Sequence, residues 1–316
     1  MGGHGRRLRL RPWVADQRIA ADLSAVSEIV SVCLARKGGW LNHCSIVNLG
    51  LIGWAQACAL QQRVVACRKA GTISDTLLLC EHPHAITLGR NGNLQNLLAS
   101  DNVLRQKGVE LHHTNRGGDI TYHGPGQLVG YPIVNLAAIK RDVGWYMRTI
   151  EEAMIQASGG FGVTAVREPG KTGIWVQQSE ASIPAEKLAA IGVHLSRWVT
   201  SHGFAYNVAT DLRYFQLIVP CGIAERKATS LEKLLGRAVS MADVADRIAR
   251  HFFALLYGRG HSQGDGQAQF DMRPLSGVQF LEELQRAEQS PPAVLPQTAA
   301  TLEPSGATRQ AVRSHA

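Results

Sequence analysis

Aromatic residues make up only 6% of the 316-residue chain, and charged residues only 18%. With so few rings, and with lysine and arginine dispersed rather than clustered, a nucleic-acid groove built from repeated basic and stacking side chains is disfavoured. No C-x-x-C pair occurs among the six cysteines: Cys33, Cys44, Cys58, Cys67 and Cys80 lie near the start and Cys221 stands alone. That scatter argues against a disulfide framework, so a reducing compartment is expected. An uninterrupted run of about 20 apolar residues is also missing. Residues 42–62 lack Lys, Arg, Asp and Glu, but Asn48, Gln56, Gln61 and Gln62 break them up, so no membrane span is expected. No apolar segment follows Arg6, Arg7, Arg9 and Arg11, which disfavours a secretory signal and leaves an organellar transit segment open. The 32 glycines follow no G-x-y period, which excludes collagen, and the chain has no internal repeat.

What is present suits a soluble globular domain: 45% apolar residues and a net charge of +8. Residues 1–40 carry +4, residues 41–259 carry +6 and residues 260–316 carry −2. The middle is thus basic in its own right, which would serve nucleic acid, a membrane surface or an acidic protein partner alike, and charge alone does not choose among them. Residues 1–44 read as an N-terminal extension with a short helical stretch over Ile19–Leu34. Residues 45–259 read as the periodic, folded domain, and residues 260–316, rich in Gln, Ser, Pro and Ala, as a disordered tail. Within the domain, strands are expected at Ser45–Leu49, Thr76–Cys80, Ala85–Leu88, Leu128–Leu136 and Gly173–Val176. Paired strands are expected across 187–208, and helices over Trp54–Cys67 and Gly144–Ala157. A last helix starts at Ser240, with Asp243 in the capping-box position and Val244, Ile248 and Phe252 forming one stripe. The mixture, without a strict βαβ rhythm, predicts an α+β fold: a mixed β-sheet flanked by helices.

Two segments carry chemistry. In Arg116-Gly117-Gly118-Asp119-Ile120-Thr121-Tyr122-His123-Gly124-Pro125-Gly126-Gln127, four glycines open the backbone to a ligand and interleave with polar side chains. Tight turns between strands would use the glycines too, but the arginine, aromatic and histidine woven among them favour a substrate-lining loop. In Val219-Pro220-Cys221-Gly222, Pro220 fixes the chain before the sulfur and Gly222 leaves room beside it, as an accessible reactive thiol requires. An unperturbed cysteine, with pKa near 8.5, is only about 3% thiolate at pH 7; a nearby ammonium would raise that fraction, and Lys187 is one candidate. The other cysteines read as small core residues. Gly170-Lys171-Thr172 falls short of a phosphate-binding loop because position 165 is Ala rather than Gly. Neither His82/His84 nor His112/His113 has further ligands at zinc spacing, so no metal is expected.

The run from Arg116 to Pro132 resembles the signature of the lipoyl(octanoyl) transferase family. Three further stretches match in order: Lys187–Val193, Thr200–Asn207, and Val219–Gly222 followed by Thr229–Leu231. The resemblance covers roughly residues 45–257 and implies a cysteine acyltransferase on the fold of biotin and lipoate protein ligases. It implies that Cys221 carries octanoate as a thioester and that Lys187 lowers the pKa of that thiol. Arg116 through His123 would line the acyl site, with Ala190, Ile191, Gly192, Gly203, Phe204 and Ala205. The implied donor is octanoyl-acyl carrier protein. The implied acceptors are lipoyl domains of 2-oxoacid dehydrogenase E2 subunits and the glycine cleavage H protein, with no cofactor, nucleic acid or membrane, in the cytoplasm. Phe204 departs from the leucine frequent in the family and would reshape the acyl pocket. An ATP-dependent lipoate or biotin ligase of the same fold would need neither Cys221 nor Lys187, and a papain-like hydrolase would need a Cys/His signature that is missing around Cys221.

Overall fold

The computed structural model describes residues 43–180, 182–219, 227–258 and 271–292. Eight strands form one sheet: β1 (His43–Leu51), β2 (Asp75–Glu81), β6 (Gln127–Ile133), β7 (Val166–Glu168), β8 (Lys171–Val176), β9 (Glu186–Ser196), β10 (Val199–Asn207) and β11 (Asp271–Ser276). Their spatial order is β11-β1-β2-β6-β10-β9-β8-β7. β1 runs parallel to both β11 and β2, and every other neighbouring pair is antiparallel. A second, three-stranded sheet has the order β4-β3-β5, from β3 (Ala85–Leu88), β4 (Glu110–His113) and β5 (Ile120–His123). The helices are α1 (Trp54–Ala70), α2 (Asp101–Gln106), α3 (Val143–Gly159), α4 (Leu231–Leu235), α5 (Met241–Tyr257) and α6 (Gly277–Gln289).

β2 explains why the large sheet has two cores. Its apolar run shows no polar alternation because both faces are covered. Leu77 and Leu79 join the cluster under α3 and α5, whereas Leu78 and Cys80 join the cluster under α1 and α6. α5 starts where expected: the Ser240 hydroxyl accepts the Asp243 N–H at 3.2 Å, and Val244, Ile248 and Phe252 are buried against α3. The mixed sheet flanked by helices is therefore the architecture expected from the sequence, and α1, β3 and α3 lie where the periodicity places them. The stretches around Cys33 and over Ile19–Leu34 lie outside the described residues.

The reading of residues 260–316 as a disordered tail does not hold for residues 271–292. β11 adds a strand parallel to β1, in register from His43↔Asp271 to Asn48↔Ser276. α6 follows through a Ser276/Gln279 capping box and buries Phe280, Leu284 and Ala287 on the α1 face. The apolar-acidic stretch Phe280–Leu284 is thus one face of an amphipathic helix in a polar segment. Its few apolar residues suffice because α1 and β1 already supply the other half of the core. A boundary at residue 259 would bare both the β1 edge and this apolar face. We expect Phe280→Ala to cost about 3–5 kcal/mol, as deletion of a buried ring does. Urea unfolding checks this; a loss below about 1 kcal/mol would mean that α6 is peripheral to the core.

Candidate active site

A cavity of about 530 Å³ opens between β5 of the small sheet and strands β6, β9 and β10 of the large one. Its floor is the β9–β10 hairpin, where Ala190 faces Ala205, Ile191 faces Phe204, Gly192 faces Gly203 and Val193 faces His202. Gly192 on this hairpin and Gly130 on the adjoining β6 are glycines because the space is taken. A Cβ on Gly192 would lie 2.7 Å from the Gly117 carbonyl oxygen, and one on Gly130 would lie 2.1 Å from the Phe204 ring. Phe204 is buried over Gly130, its register partner on β6, so a phenyl ring fits where the family resemblance implies leucine.

The glycine-rich segment is more ordered than a loop. Ile120–His123 is β5, antiparallel to β3. The Arg116 guanidinium donates to the Thr87 carbonyl (2.7 Å), the Thr87 hydroxyl (2.8 Å) and the Gly117 carbonyl (3.1 Å), while the Gly117 N–H donates to Val193 O at 2.8 Å. Asp119 accepts from the Asn93 N–H and the Asn96 amide, which fixes the neighbouring turn. Strand alternation then divides the expected site residues. Arg116, Gly117, Gly118, Asp119, Ile120, Thr121 and His123 line the cavity, as do Lys187, Ala190, Ile191, Gly192, Gly203, Phe204 and Ala205. Tyr122 does not. It is fully buried behind β5, its hydroxyl 2.7 Å from His84 Nδ1 and its ring stacked on Tyr214 at 5.1 Å.

A buried polar relay ties these parts together. His123 Nδ1 is 2.8 Å from Gln127 Oε1, and the Gln127 amide donates to Tyr122 O (3.1 Å) and Asn207 Oδ1 (2.9 Å). Because the Gln127 oxygen can only accept, His123 carries its proton on Nδ1. Asn207 donates in turn to Thr229 O at 3.0 Å, and the Thr229 N–H donates to Lys187 O at 2.9 Å. The Lys187 N–H donates to Lys227 O at 2.9 Å, so the Lys187 backbone brackets residues 227–229. Its ammonium lies over the Trp175 ring, 4.5 Å from the centroid. On the other side, the Val219 N–H donates to Asn96 O at 2.7 Å. Cys221 lies outside the described residues, between these two anchored flanks. Sequence reasoning missed Gln127, Asn207 and His202; each sits inside a motif already singled out, and for Gln127 a polar residue heading an otherwise apolar strand was the available signal.

The histidines beside the cavity are neutral. Burial pushes His123 down to about 3 and His82 and His202 to about 4, with the Arg116 charge adding to the effect on His123 and His202. Burial raises the thiol pKa of Cys58, Cys67 and Cys80, which makes these three poor nucleophiles. Among the described residues no group of three or more His, Cys, Asp or Glu could hold a metal ion. Acid should therefore unfold the protein steeply. Below pH 6.5 the unfolded chain protonates these histidines and the folded one does not, so stability falls as pH drops from 6.5 towards 4. Three histidines would give a slope of at most roughly 4 kcal/mol per pH unit. Denaturation midpoints at pH 7 and pH 5 check this, and equal midpoints would contradict buried neutral imidazoles.

Residues 54–253 match the lipoyl protein ligase A/B catalytic domain, which is more than half of the chain. The chain belongs to that family. An octanoyltransferase of Solibacter usitatus (strain Ellin6076) is 55% identical over 212 residues, which is 67% of this chain and 92% of that protein. One from Acidobacterium capsulatum is 50% identical over 217 residues, 66% of this chain and 88% of that protein. Among solved structures, a lipoate-protein ligase A bound with ATP superposes with a TM-score of 0.55 at 18% identity, covering 76% of this chain and 92% of that one. The fold of the family's ligases is thus shared. β11 and α6 lie beyond the residues that the family model matches.

Proposed function

We propose that the protein is an acyltransferase that moves octanoyl groups in protein lipoylation, with Cys221 as the acyl carrier. The observation that carries this reading is the cavity itself. Val129, Ile191, Phe204 and Ala205 give it apolar walls, Lys187 lines it, and the Lys187 backbone holds the segment that follows Cys221. Its volume is ample for an eight-carbon chain. In the first half-reaction the Cys221 thiolate attacks the octanoyl thioester carbonyl of a carrier protein. A new C–S bond forms, the carrier's C–S bond breaks, and the carrier thiolate leaves and takes up a proton. In the second, the neutral amine of a lipoyl-domain lysine attacks the acyl-enzyme; the amide forms, the amine loses a proton and the Cys221 thiolate is released. Thioester exchange is nearly balanced and amide formation runs downhill, so no nucleotide is consumed.

Lys187 acts by charge, favouring the thiolate over the thiol. The polar relay from His123 to Thr229 holds the acyl cavity and the Lys187 segment in one geometry without placing a charge beside the chain. The net +6 of residues 41–259 suits the acidic carrier and lipoyl domains and would steer their encounter. Among the described residues no helix is long and apolar enough to cross a membrane.

The test is octanoyl transfer to a lipoyl domain by desalted enzyme, with and without ATP and with chelator present. Equal rates support the proposal; an absolute need for ATP would assign the chain the ligase chemistry of its structural neighbours.

A further inference from the structure

A second cavity, also of about 530 Å³, lies between α1 and the turn end of the β9–β10 hairpin. Its walls are rich in hydrogen-bond donors. The His202 N–H donates to Gln61 Oε1 at 2.9 Å, and the His202 ring Nε2 lies 2.8 Å from Asn115 Oδ1. Both amide oxygens are thereby used, and both residues line the cavity, which leaves their NH2 groups as donors there. Among the described residues neither NH2 group has an acceptor. Gln61 is only 3% exposed, and a buried donor left unpaired is costly. A ligand oxygen in the cavity would satisfy it.

Charge of one sign surrounds these amides. Lys69, in the last turn of α1, donates to Ser196 Oγ at 2.9 Å, and it lines the cavity together with Arg197. Arg197 and Trp198 form the two-residue turn of the hairpin at φ 51° and 62°, a geometry that Asn-Gly usually supplies. Trp198 packs against the core under α3 and α5, which fixes the turn that carries Arg197. Among the described residues no Asp or Glu lines the cavity. Burial and Arg197 push the Lys69 pKa down, and burial, Arg90 and Lys69 do the same to His194 on the strand wall. The last turn of a helix favours a lysine by itself, but that accounts neither for Arg197 on the other wall nor for the two amides. Two cations and several donors arriving from both walls suit a tetrahedral oxyanion better than a two-oxygen carboxylate. We propose that the second cavity is a binding site for a phosphate group. The volume leaves room for that group to be free or carried on a larger molecule.

The experiment titrates the full chain by calorimetry with inorganic phosphate and, at matched ionic strength, with acetate; it needs no acyl transfer. We expect one phosphate per chain with a Kd at or below about 1 mM, and acetate at least about tenfold weaker. Lys69→Gln/Arg197→Gln, which removes both charges, should weaken phosphate by at least about tenfold. Ser196→Asp, which supplies a counter-ion from the chain itself, should do the same, and it decides the matter should the double variant not fold. 4′-Phosphopantetheine and pantetheine separate the two sources. Binding of the first at least as tight as that of phosphate, with none of the second, identifies a phosphate carried on a prosthetic arm; exclusion of the first identifies free phosphate. No saturation by about 10 mM phosphate, acetate bound as tightly, or folded variants within about twofold of wild type would overturn the site.

Discussion

Cys221→Ser is expected to lower octanoyl transfer by about a thousandfold or more, because it removes the group on which the reaction is split into two steps. A serine hydroxyl is far harder to ionise, and its ester is a poorer acyl donor than a thioester. No described cysteine offers a substitute: Cys44 and Cys80 are completely buried, and Cys58 and Cys67 have thiols raised by burial. Steady-state assay with octanoyl-carrier protein and a lipoyl domain measures the loss. Activity within tenfold of wild type would remove the covalent mechanism.

Lys187→Ala should have the next largest effect. An ammonium near a thiol lowers its pKa by about 1–3 units, so losing it returns the thiol to about 3% thiolate at pH 7, a cut of roughly eight- to thirtyfold. The sign is unambiguous: the thiol pKa rises, and alkylation of Cys221 by iodoacetamide shifts to higher pH. Lys187→Arg should recover part of the shift, because it keeps the charge but not the compact head group over the Trp175 ring. A labelling profile unchanged in Lys187→Ala would leave Lys187 with a role in partner binding only. The readout is made on the free enzyme, so carrier docking does not enter it.

How much of this was legible beforehand differs from element to element. β3 and α1 follow from local pattern, Pro83 punctuating one and Trp54 heading the other, and both start where expected. The small sheet was hidden because Ile120–His123 is a four-residue strand between glycine turns, and its strand character comes from pairing with β3, a long-range contact. The same pairing explains Tyr122: once the segment is a strand, alternation turns that ring away from the cavity that Thr121 and His123 line. α6 was obscured by composition, since one apolar face of Phe280, Leu284 and Ala287 in a polar segment becomes core only when α1 lies opposite. The amides of Gln127 and Asn207 look unremarkable in the chain. Their meaning lies in the register between β6 and β10, which places them side by side.

The central claim is that one cysteine carries the acyl group, and intact-protein mass spectrometry tests it most directly. The full chain is mixed with octanoyl-carrier protein in the absence of acceptor and nucleotide, quenched in acid and digested. The account predicts one added octanoyl group, released by neutral hydroxylamine and mapped to the peptide containing Cys221. An octanoyl group found on any other residue, or no adduct until ATP is supplied, would contradict it.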